Sequence, residues 1–304
     1  MYAVETEQLT RYYGPNRGIF ELSVSVMDGE IFGFIGPNGA GKTTTIRLLL
    51  GLIKPSSGKA RLFGKELPPA GGKFYRRVGY LPAEVGYYPE MSGRDLLEYS
   101  AGFYNISSFQ WIEELVDRLQ FDPDKKIRTY SHGNLKKLGI IQALMHRPLL
   151  LILDEPGSGL DPLIRQELFK ILEELNRDGS TIFFSTHVLE EVERICHRVA
   201  MIKEGRLIHI GPMDELPGRD MRMVIIKIAG RQPSNAALER LGEAEELPSR
   251  PGYFRVLSRL PVNDLVSYLT RFNLEYLRIT DPGLEEVFFD LYETAPGRGD
   301  RPNV

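Results

Sequence analysis

The segment GPNGAGKT, Gly36 to Thr43, decides the fold class of this chain. It matches the pattern G-x-x-x-x-G-K-[ST] and lies between the apolar run EIFGFI and the helix-like segment KTTTIRLLLGL. EIFGFI is continuously apolar, as in a strand that is buried on both faces. A glycine-rich turn without a ligand gives no structural reason for Lys-Thr after the last glycine. The sequence therefore predicts a strand, a phosphate-binding loop and a helix in this order.

The residue types in this loop predict the binding of a nucleoside triphosphate. Backbone N–H groups of residues 39–44 are expected to surround the phosphates, and the Lys42 ammonium is expected to reach the β and γ oxygens. The hydroxyl of Thr43 is a candidate ligand for Mg²⁺. The residues assigned to nucleotide binding in this loop are Gly36, Asn38, Gly39, Ala40, Gly41, Lys42, Thr43 and Thr44.

Two carboxylates end a second apolar run, LLLILDEP, at Asp154 and Glu155. Strand ends of this kind face the ligand crevice of an α/β sheet, so Asp154 suits a Mg²⁺ site and Glu155 suits the activation of water. Surface acids that merely close a strand are the alternative. The segment DEPG also fits the D-x-x-G pattern of GTPases, but a long helical segment separates it from Lys42 and the chain has no N-K-x-D guanine-binding motif.

The segment STHV places His187 at the end of the next predicted strand. A histidine at a strand end is by itself more often structural. Its position in register with Lys42 and Glu155 favours a role in sensing the γ-phosphate. Lys42, Glu155 and His187 are therefore the candidate catalytic residues.

A second anion-binding helix start is suggested by YSHGNLKK, Tyr130–Lys137. Ser131 and Gly133 stand at the head of a helix, where backbone N–H groups are free. The loop at 36–44 and Asp154 already serve one γ-phosphate and one Mg²⁺. Two-fold symmetry is the simplest solution, with Ser131 and Gly133 of each chain contacting the ATP of its partner. The alternative is an ordinary serine cap followed by a glycine that permits close packing.

The order of the predicted elements indicates an α/β core over residues 1–218. Strands and helices alternate from LLLILDEP to RVAMIKEG, which implies a parallel sheet covered by helices. GIFELSVSVMDG alternates apolar and polar residues, as in one half-buried antiparallel strand. The segment at about 90–146 is helical, with a capping pattern at SGRD and an apolar stripe of Ile112, Leu115, Val116 and Leu119.

Residues 219–294 are predicted to form a second, smaller α+β domain. Their order, βαββαβ, is that of a ferredoxin-like unit, with a helix at 236–241 and another whose apolar stripe is Val262, Leu265, Val266 and Leu269. A last helix is expected to carry Leu284, Val287, Phe288 and Leu291. Residues 295–304 are rich in Gly, Pro and Arg, and a disordered tail is predicted there.

Composition restricts the class of protein. The 304 residues, 42% hydrophobic and 26% charged, are typical of a soluble globular chain. The net charge of −3 gives no basic surplus for nucleic acid, and the single Cys196 excludes an internal disulfide framework. The longest apolar run, LLLIL, is far shorter than a membrane span, and the N-terminus lacks the pattern of a signal peptide.

Five motifs, in order and at family spacing, make residues 3–215 resemble the ATP-binding subunits of ABC transporters. GPNGAGKT is similar to the Walker A loop, LLLILDEP to Walker B with its glutamate, and SGLD to the loop that crosses the dimer interface. His187 matches the switch histidine. YSHGN resembles the signature motif L-S-G-G-Q but departs from it at Tyr130, His132 and Asn134. The resemblance also implies that Tyr13 stacks on adenine.

The resemblance implies a P-loop NTPase (RecA-like) core with an antiparallel β subdomain, and it implies ATP and Mg²⁺ as cofactors. It further implies a homodimer that closes on two ATP molecules and drives a separate transmembrane permease from the cytoplasmic face of the membrane. The segment DPGLEEVFFDLYE is similar to that of exporter subunits. Two alternatives remain: a soluble ABC ATPase that acts on ribosomes or DNA, and a regulatory protein that barely hydrolyses ATP.

One position departs from the family pattern. After YLP the family places a glutamine that meets Mg²⁺ and the attacking water, and here the residue is Ala83. Glu84 is an alternative Mg²⁺ ligand by type, but neighbours along an extended chain point to opposite faces. The membrane partner is expected to dock at Ala83–Pro89 and the following helices. Tyr87 and Tyr88 lie there in a Gly/Pro loop, where burial is harder to arrange.

Overall fold

The computed structural model describes residues 1–14, 17–68, 72–216, 221–229, 238, 240–247, 250–281 and 288. The chain divides into two compact units, Met1–Met213 and Asp214–Val304. The α-helices described in the first unit are α1 (Lys42–Leu49), α2 (Gly93–Tyr104), α3 (Gln110–Arg118), α4 (His132–Leu144), α5 (Pro162–Arg177) and α6 (Leu189–Ile195).

The strands of the first unit form two sheets. They are β1 (Tyr2–Gly14), β2 (Arg17–Leu22), β3 (Ser25–Met27), β4 (Ile31–Ile35), β5 (Ser57–Leu62), β6 (Lys65–Glu66), β7 (Val78–Leu81), β8 (Leu150–Asp154), β9 (Thr181–Thr186), β10 (Arg198–Lys203) and β11 (Arg206–Pro212).

The six-stranded sheet positions the candidate site. Its order is β11-β10-β4-β9-β8-β7, and all neighbours are parallel except β10 and β11. Every residue of β4, β8 and β9 is buried. The apolar sequence of β4 predicts this burial, whereas β9 also buries the hydroxyl side chains of Thr181, Ser185 and Thr186. Because the strands are parallel, β4, β7, β8 and β9 end at one edge of the sheet, where ligands of α/β folds bind.

An antiparallel sheet has the order β2-β1-β5-β6, and β3 also pairs with β1. The segment GIFELSVSVMDG was predicted as one strand, and this is wrong, because it forms β2 and β3 with a break between them. The hydroxyl of Thr6 bridges the break: it donates to the Leu22 carbonyl at 2.9 Å and accepts from the Val24 N–H at 2.8 Å. The side chains of the predicted alternation are nevertheless buried.

Helices α2, α3 and α4 lie between β7 and β8 in the chain, where a helical insertion was predicted. The capping pattern at SGRD is present. The Ser92 hydroxyl accepts from the Asp95 N–H at 3.1 Å, and the Asp95 carboxylate accepts from the Ser92 N–H at 2.8 Å. The predicted apolar stripe of α3 is buried throughout.

The second unit contains a four-stranded antiparallel sheet of order β13-β14-β12-β15, and a helix α7. These elements are β12 (Arg222–Ile228), β13 (Glu243–Glu246), β14 (Tyr253–Ser258), α7 (Val262–Leu269) and β15 (Leu274–Thr280). On α7, Leu265 and Leu269 are buried, but Val262 and Val266 are 47% and 42% exposed. The predicted apolar stripe is therefore wider than the face that this short helix buries. That face consists of the one pair Leu265 and Leu269, at positions i and i+4.

Several predicted features fall outside the described residues. They are half of the helix at 236–241, most of the helix that carries Leu284 to Leu291, and the tail at 295–304. Among the described residues, no helix combines the length and the apolar character that a membrane crossing requires.

Candidate nucleotide site

The loop at residues 36–44, here called the phosphate loop, connects β4 to α1. Gly41 precedes the helix with a φ of 112°, and a Cβ on it would lie 2.6 Å from the Cγ2 atom of Ile19. Glycine is therefore required on both conformational and steric grounds. Because no side chain caps α1, the N–H groups of its first turn are available to an anion.

The ammonium of Lys42 is folded back over this loop. It donates to the carbonyl of Gly36 at 2.7 Å and to that of Pro37 at 3.3 Å. It also lies 3.2 Å from Oε1 of Glu155, and the Lys42 side chain is buried. All three N–H bonds of the ammonium thus have acceptors on the residues that surround the predicted phosphate position.

Both carboxylate oxygens of Asp154 are held by hydroxyl groups. Oδ2 accepts from the Thr43 hydroxyl at 2.7 Å, and Oδ1 accepts from the Ser185 hydroxyl at 2.5 Å. Ser185 stands beside Asp154 in the ladder between β8 and β9. The sequence interpretation missed Ser185, because no motif marks it and only the strand register identifies it.

Glu155 lies between Lys42 and His187. Its φ is 50°, in the left-handed region that non-glycine residues rarely adopt. The second oxygen of its carboxylate, Oε2, is 2.8 Å from Nδ1 of His187. The Glu155 side chain is largely buried, whereas that of His187 is half exposed. The structure thus brings together the three residues that the sequence assigns to catalysis.

A buried carboxylate fixes the backbone next to His187. Glu191 accepts from the Thr186 hydroxyl at 2.8 Å, and the same hydroxyl accepts from the Val188 N–H at 3.0 Å. Burial raises the pKa of Glu191, against the lowering effect of the Thr186 hydrogen bond. The sequence interpretation did not identify Glu191.

The signature segment, Tyr130–Asn134, caps α4 and packs on the SGLD loop. Ser131 is exposed and caps α4, with its hydroxyl accepting from the Asn134 N–H at 3.3 Å. A Cβ on Gly133 would lie 2.9 Å from the carbonyl oxygen of Gly159, which belongs to the SGLD loop, Ser158–Asp161. The close approach of these two segments explains the glycine at 133, and the exposed Ser131 hydroxyl caps its own helix, as the alternative of an ordinary serine cap predicts.

Tyr13 stands near the end of β1, and 46% of its surface is exposed. Its neighbour Tyr12 pairs with Gly18, and the Gly18 carbonyl would be 3.7 Å from a Cβ on Gly41. The end of the β1–β2 hairpin therefore lies beside the phosphate loop, and an exposed ring there is available for stacking. The Arg11 guanidinium lies 5.2 Å from the centre of the Tyr13 ring.

The loop after β7 contains Ala83 and Glu84. Glu84 is exposed. The carbonyls of Pro82 and Ala83 accept from the buried ammonium of Lys136, each at 3.3 Å. Lys136 was also missed, although the two lysines among the apolar residues of LKKLGII are a signal that could have drawn attention to it. In the described part of the chain, no three His, Cys, Asp or Glu side chains form a group able to hold a metal ion.

The sequence model of the family described as ABC transporter matches residues 19–158. The bacitracin transport ATP-binding protein BcrA of Bacillus licheniformis is 34% identical over 295 residues, which are 95% of this chain and 96% of that protein. The Nod factor export ATP-binding protein I of Paraburkholderia xenovorans is 34% identical over 296 residues, with the same two coverages. The chain belongs to the ABC transporter family.

Solved structures agree with this assignment. A structure described as the ATP-binding subunit of an ABC transporter has a TM-score of 0.66 and 29% identity, and the match covers 70% of this chain and 91% of that one. The ATP-binding cassette MJ0796, a dimer with ADP and Pi, is 20% identical, and this match shows the fold alone. Its TM-score is 0.62, with 69% of this chain and 98% of that chain covered.

Membership of the family establishes the activity in general terms. The chain is an ATP-binding and ATP-hydrolysing subunit of an ABC transporter, and its core is the P-loop NTPase fold of such subunits. Subunits of this kind serve transport systems.

Proposed function

We propose that Lys42, Thr43, Asp154, Glu155 and His187 form one site for the binding and hydrolysis of ATP. The contact of Glu155 with both Lys42 and His187 carries this proposal. Lys42 binds the β and γ oxygens of ATP in exchange for its present acceptors. Glu155 then accepts a proton from the attacking water, and His187 contacts the γ-phosphate.

The residues around Asp154 fit Mg²⁺. This ion binds one or two carboxylates together with substrate phosphates and water, and the Thr43 hydroxyl and the Asp154 carboxylate are already 2.7 Å apart. When bound, Mg²⁺ neutralises charge on the β and γ oxygens. Thr43 and Asp154 hold it, and the hydrogen bond from Ser185 keeps the Asp154 carboxylate oriented.

Two chains close on two ATP molecules in this proposal. Ser131 and Gly133 of one chain contact the γ-phosphate that is bound by the phosphate loop of the other chain. The resemblance of YSHGN to the signature motif and the exposure of Ser131 at the start of a 13-residue helix support this arrangement, whereas the packing of Gly133 on the SGLD loop fits both alternatives. The binding free energy of two nucleotides then stabilises the dimer, and hydrolysis releases it.

Replacement of Glu155 by Gln tests the site and the dimer together. Gln keeps the shape of the side chain but does not accept a proton from water, so we expect hydrolysis to fall on the order of 10²-fold or more. ATP binding persists, and size-exclusion chromatography with ATP and Mg²⁺ shows a dimer. Wild type under hydrolysing conditions is the control. A variant that binds ATP but stays monomeric contradicts the two-chain arrangement.

A groove in the first unit is the proposed docking site of the transmembrane permease. Its volume is about 580 Å³, and its walls include Leu52, Val85 and Tyr87. The expectation that Tyr87 and Tyr88 both resist burial is wrong for Tyr87. This side chain is partly buried in the wall of the groove, and burial raises its pKa. Tyr88 is 67% exposed, and the exposed Tyr99 and Phe103 pack edge to face on α2.

Tyr88→Ala is expected to weaken the complex with the permease by about tenfold, because exposed aromatic side chains contribute most to such interfaces. ATP binding by the isolated chain remains unchanged. The matched control is Tyr2→Ala, since Tyr2 is also an exposed tyrosine but lies at the start of β1 in the antiparallel sheet. Equal effects of the two substitutions on complex formation, measured by co-purification and stimulated ATPase activity, argue against docking at this groove.

The names of two relatives support a proposal for the direction and place of transport. One of them is named for bacitracin transport and another for Nod factor export, and both match this chain over nearly its whole length. We infer an exporter whose permease is a separate chain, with this subunit on the cytoplasmic face of the membrane. ATPase activity measured with and without the permease in vesicles tests this inference, since an activity that does not respond to the permease favours a non-transport role.

A further inference from the structure

Lys136 is a buried charge that none of the proposed steps uses. It lies on α4, five residues after Ser131, and only 1% of its surface is exposed. Its ammonium donates to the carbonyls of Pro82 and Ala83 at 3.3 Å and to that of Asp154 at 3.2 Å. An ammonium has three N–H bonds, and here each has an acceptor on the backbone.

The three acceptors lie where two neighbouring strands end. β7 and β8 pair as far as Leu81 and Leu153, and Lys136 joins the backbone directly beyond this pair. One side of the junction leads to the loop of Ala83 and the groove, and the other is Asp154 itself. Burial lowers the pKa of the Lys136 ammonium, and the carboxylates of Asp154, Glu155 and Glu191 oppose this effect. A buried ammonium that donates to three backbone carbonyls fixes the geometry of that backbone. An apolar side chain at the same position would make none of these hydrogen bonds.

We propose that Lys136 is a positioning residue for the nucleotide site of its own chain. It holds the backbone of Asp154, and therefore the carboxylate of Glu155, in register with the loop after β7. This inference rests on the proposed function. It has an unusual consequence, because Lys136 shares a helix with Ser131 and yet serves the opposite nucleotide: Ser131 contacts the ATP of the partner, whereas Lys136 acts on the ATP of its own chain.

Steady-state kinetics of the full chain give the first test. Lys136→Met keeps the length of the side chain and removes all three donors. We expect kcat to fall on the order of 10²-fold, as for a small misplacement of catalytic groups, while KM for ATP stays within about threefold. Lys136→Gln retains two donors and recovers part of the loss. Lys137→Met is the matched control. The Lys137 ammonium donates to the Gln120 carbonyl, so we expect this substitution to leave kcat unchanged.

Mixed dimers give the second and decisive test. Each variant is mixed with Lys42→Ala, whose own phosphate loop is disabled but whose signature segment is intact. Ser131→Arg then recovers one working site, because its defect lies in the signature segment. Lys136→Met recovers none, because the surviving phosphate loop belongs to the chain that lacks Lys136. ATP-induced shifts in Tm show that each variant is folded.

The outcomes separate the two proposals. Recovery with Lys136→Met overturns the positioning role, as does an unchanged kcat in its homodimer. Failure of Ser131→Arg to recover overturns the exchange of signature segments between chains. In that case the kinetics of the homodimers test the role of Lys136. Equal losses of kcat in Lys136→Met and Lys136→Gln overturn the positioning role.

Discussion

At the residue scale, we expect the contact between Lys42 and Glu155 to make catalysis at the proposed site dependent on nucleotide binding. The Glu155 carboxylate is shared between Lys42 and His187. We expect the phosphates to take Lys42 as their counter-ion, which frees one carboxylate oxygen of Glu155 for water. The base is thereby released only when its substrate is in place, and Lys42 is neutralised in both states.

A second question at the residue scale is whether Glu84 takes the role of the glutamine that is missing at Ala83. Glu84 is exposed, and the contact of the loop with the site runs through the Ala83 carbonyl and Lys136. We expect Glu84→Ala to change ATPase activity less than about twofold, because we do not expect an exposed carboxylate to replace the glutamine. Ala83→Gln should raise basal activity, since its amide can orient the water and the metal ion. A loss in Glu84→Ala as large as that of Glu155→Gln shows instead that Glu84 is a metal ligand.

The sequence identified the residues of the site that belong to contiguous motifs, and it missed those defined by contacts between distant segments. Lys42, Asp154, Glu155 and His187 follow three strands whose ends a parallel sheet must bring together. Ser185 and Lys136 act on backbone or carboxylate groups that only the strand register and the packing of α4 place beside them. No pattern of neighbouring residue types in the sequence indicates such contacts between distant segments.

At the scale of elements, the end of α4 contains a pH-sensitive contact. The ring of His146 stacks on Tyr104 with centroids 3.7 Å apart, and its Nε2 atom lies 3.3 Å from the Val78 carbonyl. Burial lowers the pKa of His146 from 6.5 to about 4. The unfolded chain therefore binds more protons than the folded chain between these pH values, and stability is lost as pH falls from 6.5 towards 4.

His146→Phe tests this contact, because Phe keeps the stacked ring but does not titrate. From pH 7.5 to pH 5 the wild-type histidine should account for a loss of about 2 kcal/mol in the free energy of unfolding. The variant is expected to lose correspondingly less over the same range, whatever its stability at pH 7.5. Urea unfolding at several pH values measures the slope. Parallel slopes for the two proteins contradict a buried neutral histidine.

Helices and strands were predictable from the sequence where one hydrophobic pattern continued without interruption. The buried strands β4 and β8 and the stripe of α3 follow directly from the positions of apolar residues, whereas the buried hydroxyl residues of β9 do not. The break between β2 and β3 was not predictable. The apolar alternation continues across it, and the hydroxyl of Thr6, on another strand, satisfies the backbone at the break.

At the scale of the whole molecule, each unit has a hydrophobic core of its own. The core of the first unit joins both sheets and α1 around Phe32, Phe34 and Phe183. The core of the second unit includes Val224, Ile226, Val256, Leu265 and Leu269. The proposed nucleotide ligands all belong to residues 1–213. We therefore expect a chain that ends after Met213 to fold and to bind ATP with a Kd within about threefold of the full chain.

A substitution in the second core distinguishes independent units from cooperative ones in the full chain. Leu265 is fully buried on α7, so Leu265→Ala should cost about 2–5 kcal/mol in the stability of the second unit. In calorimetry this lowers one unfolding transition, while added ATP and Mg²⁺ raise the other, because ligand stabilises only the unit that binds it. Leu172→Ala, at an equally buried leucine of α5, is the matched control and should lower the ATP-sensitive transition. If Leu265→Ala lowers the transition that ATP raises, the two units unfold together, and the second unit contributes to the stability of the nucleotide site.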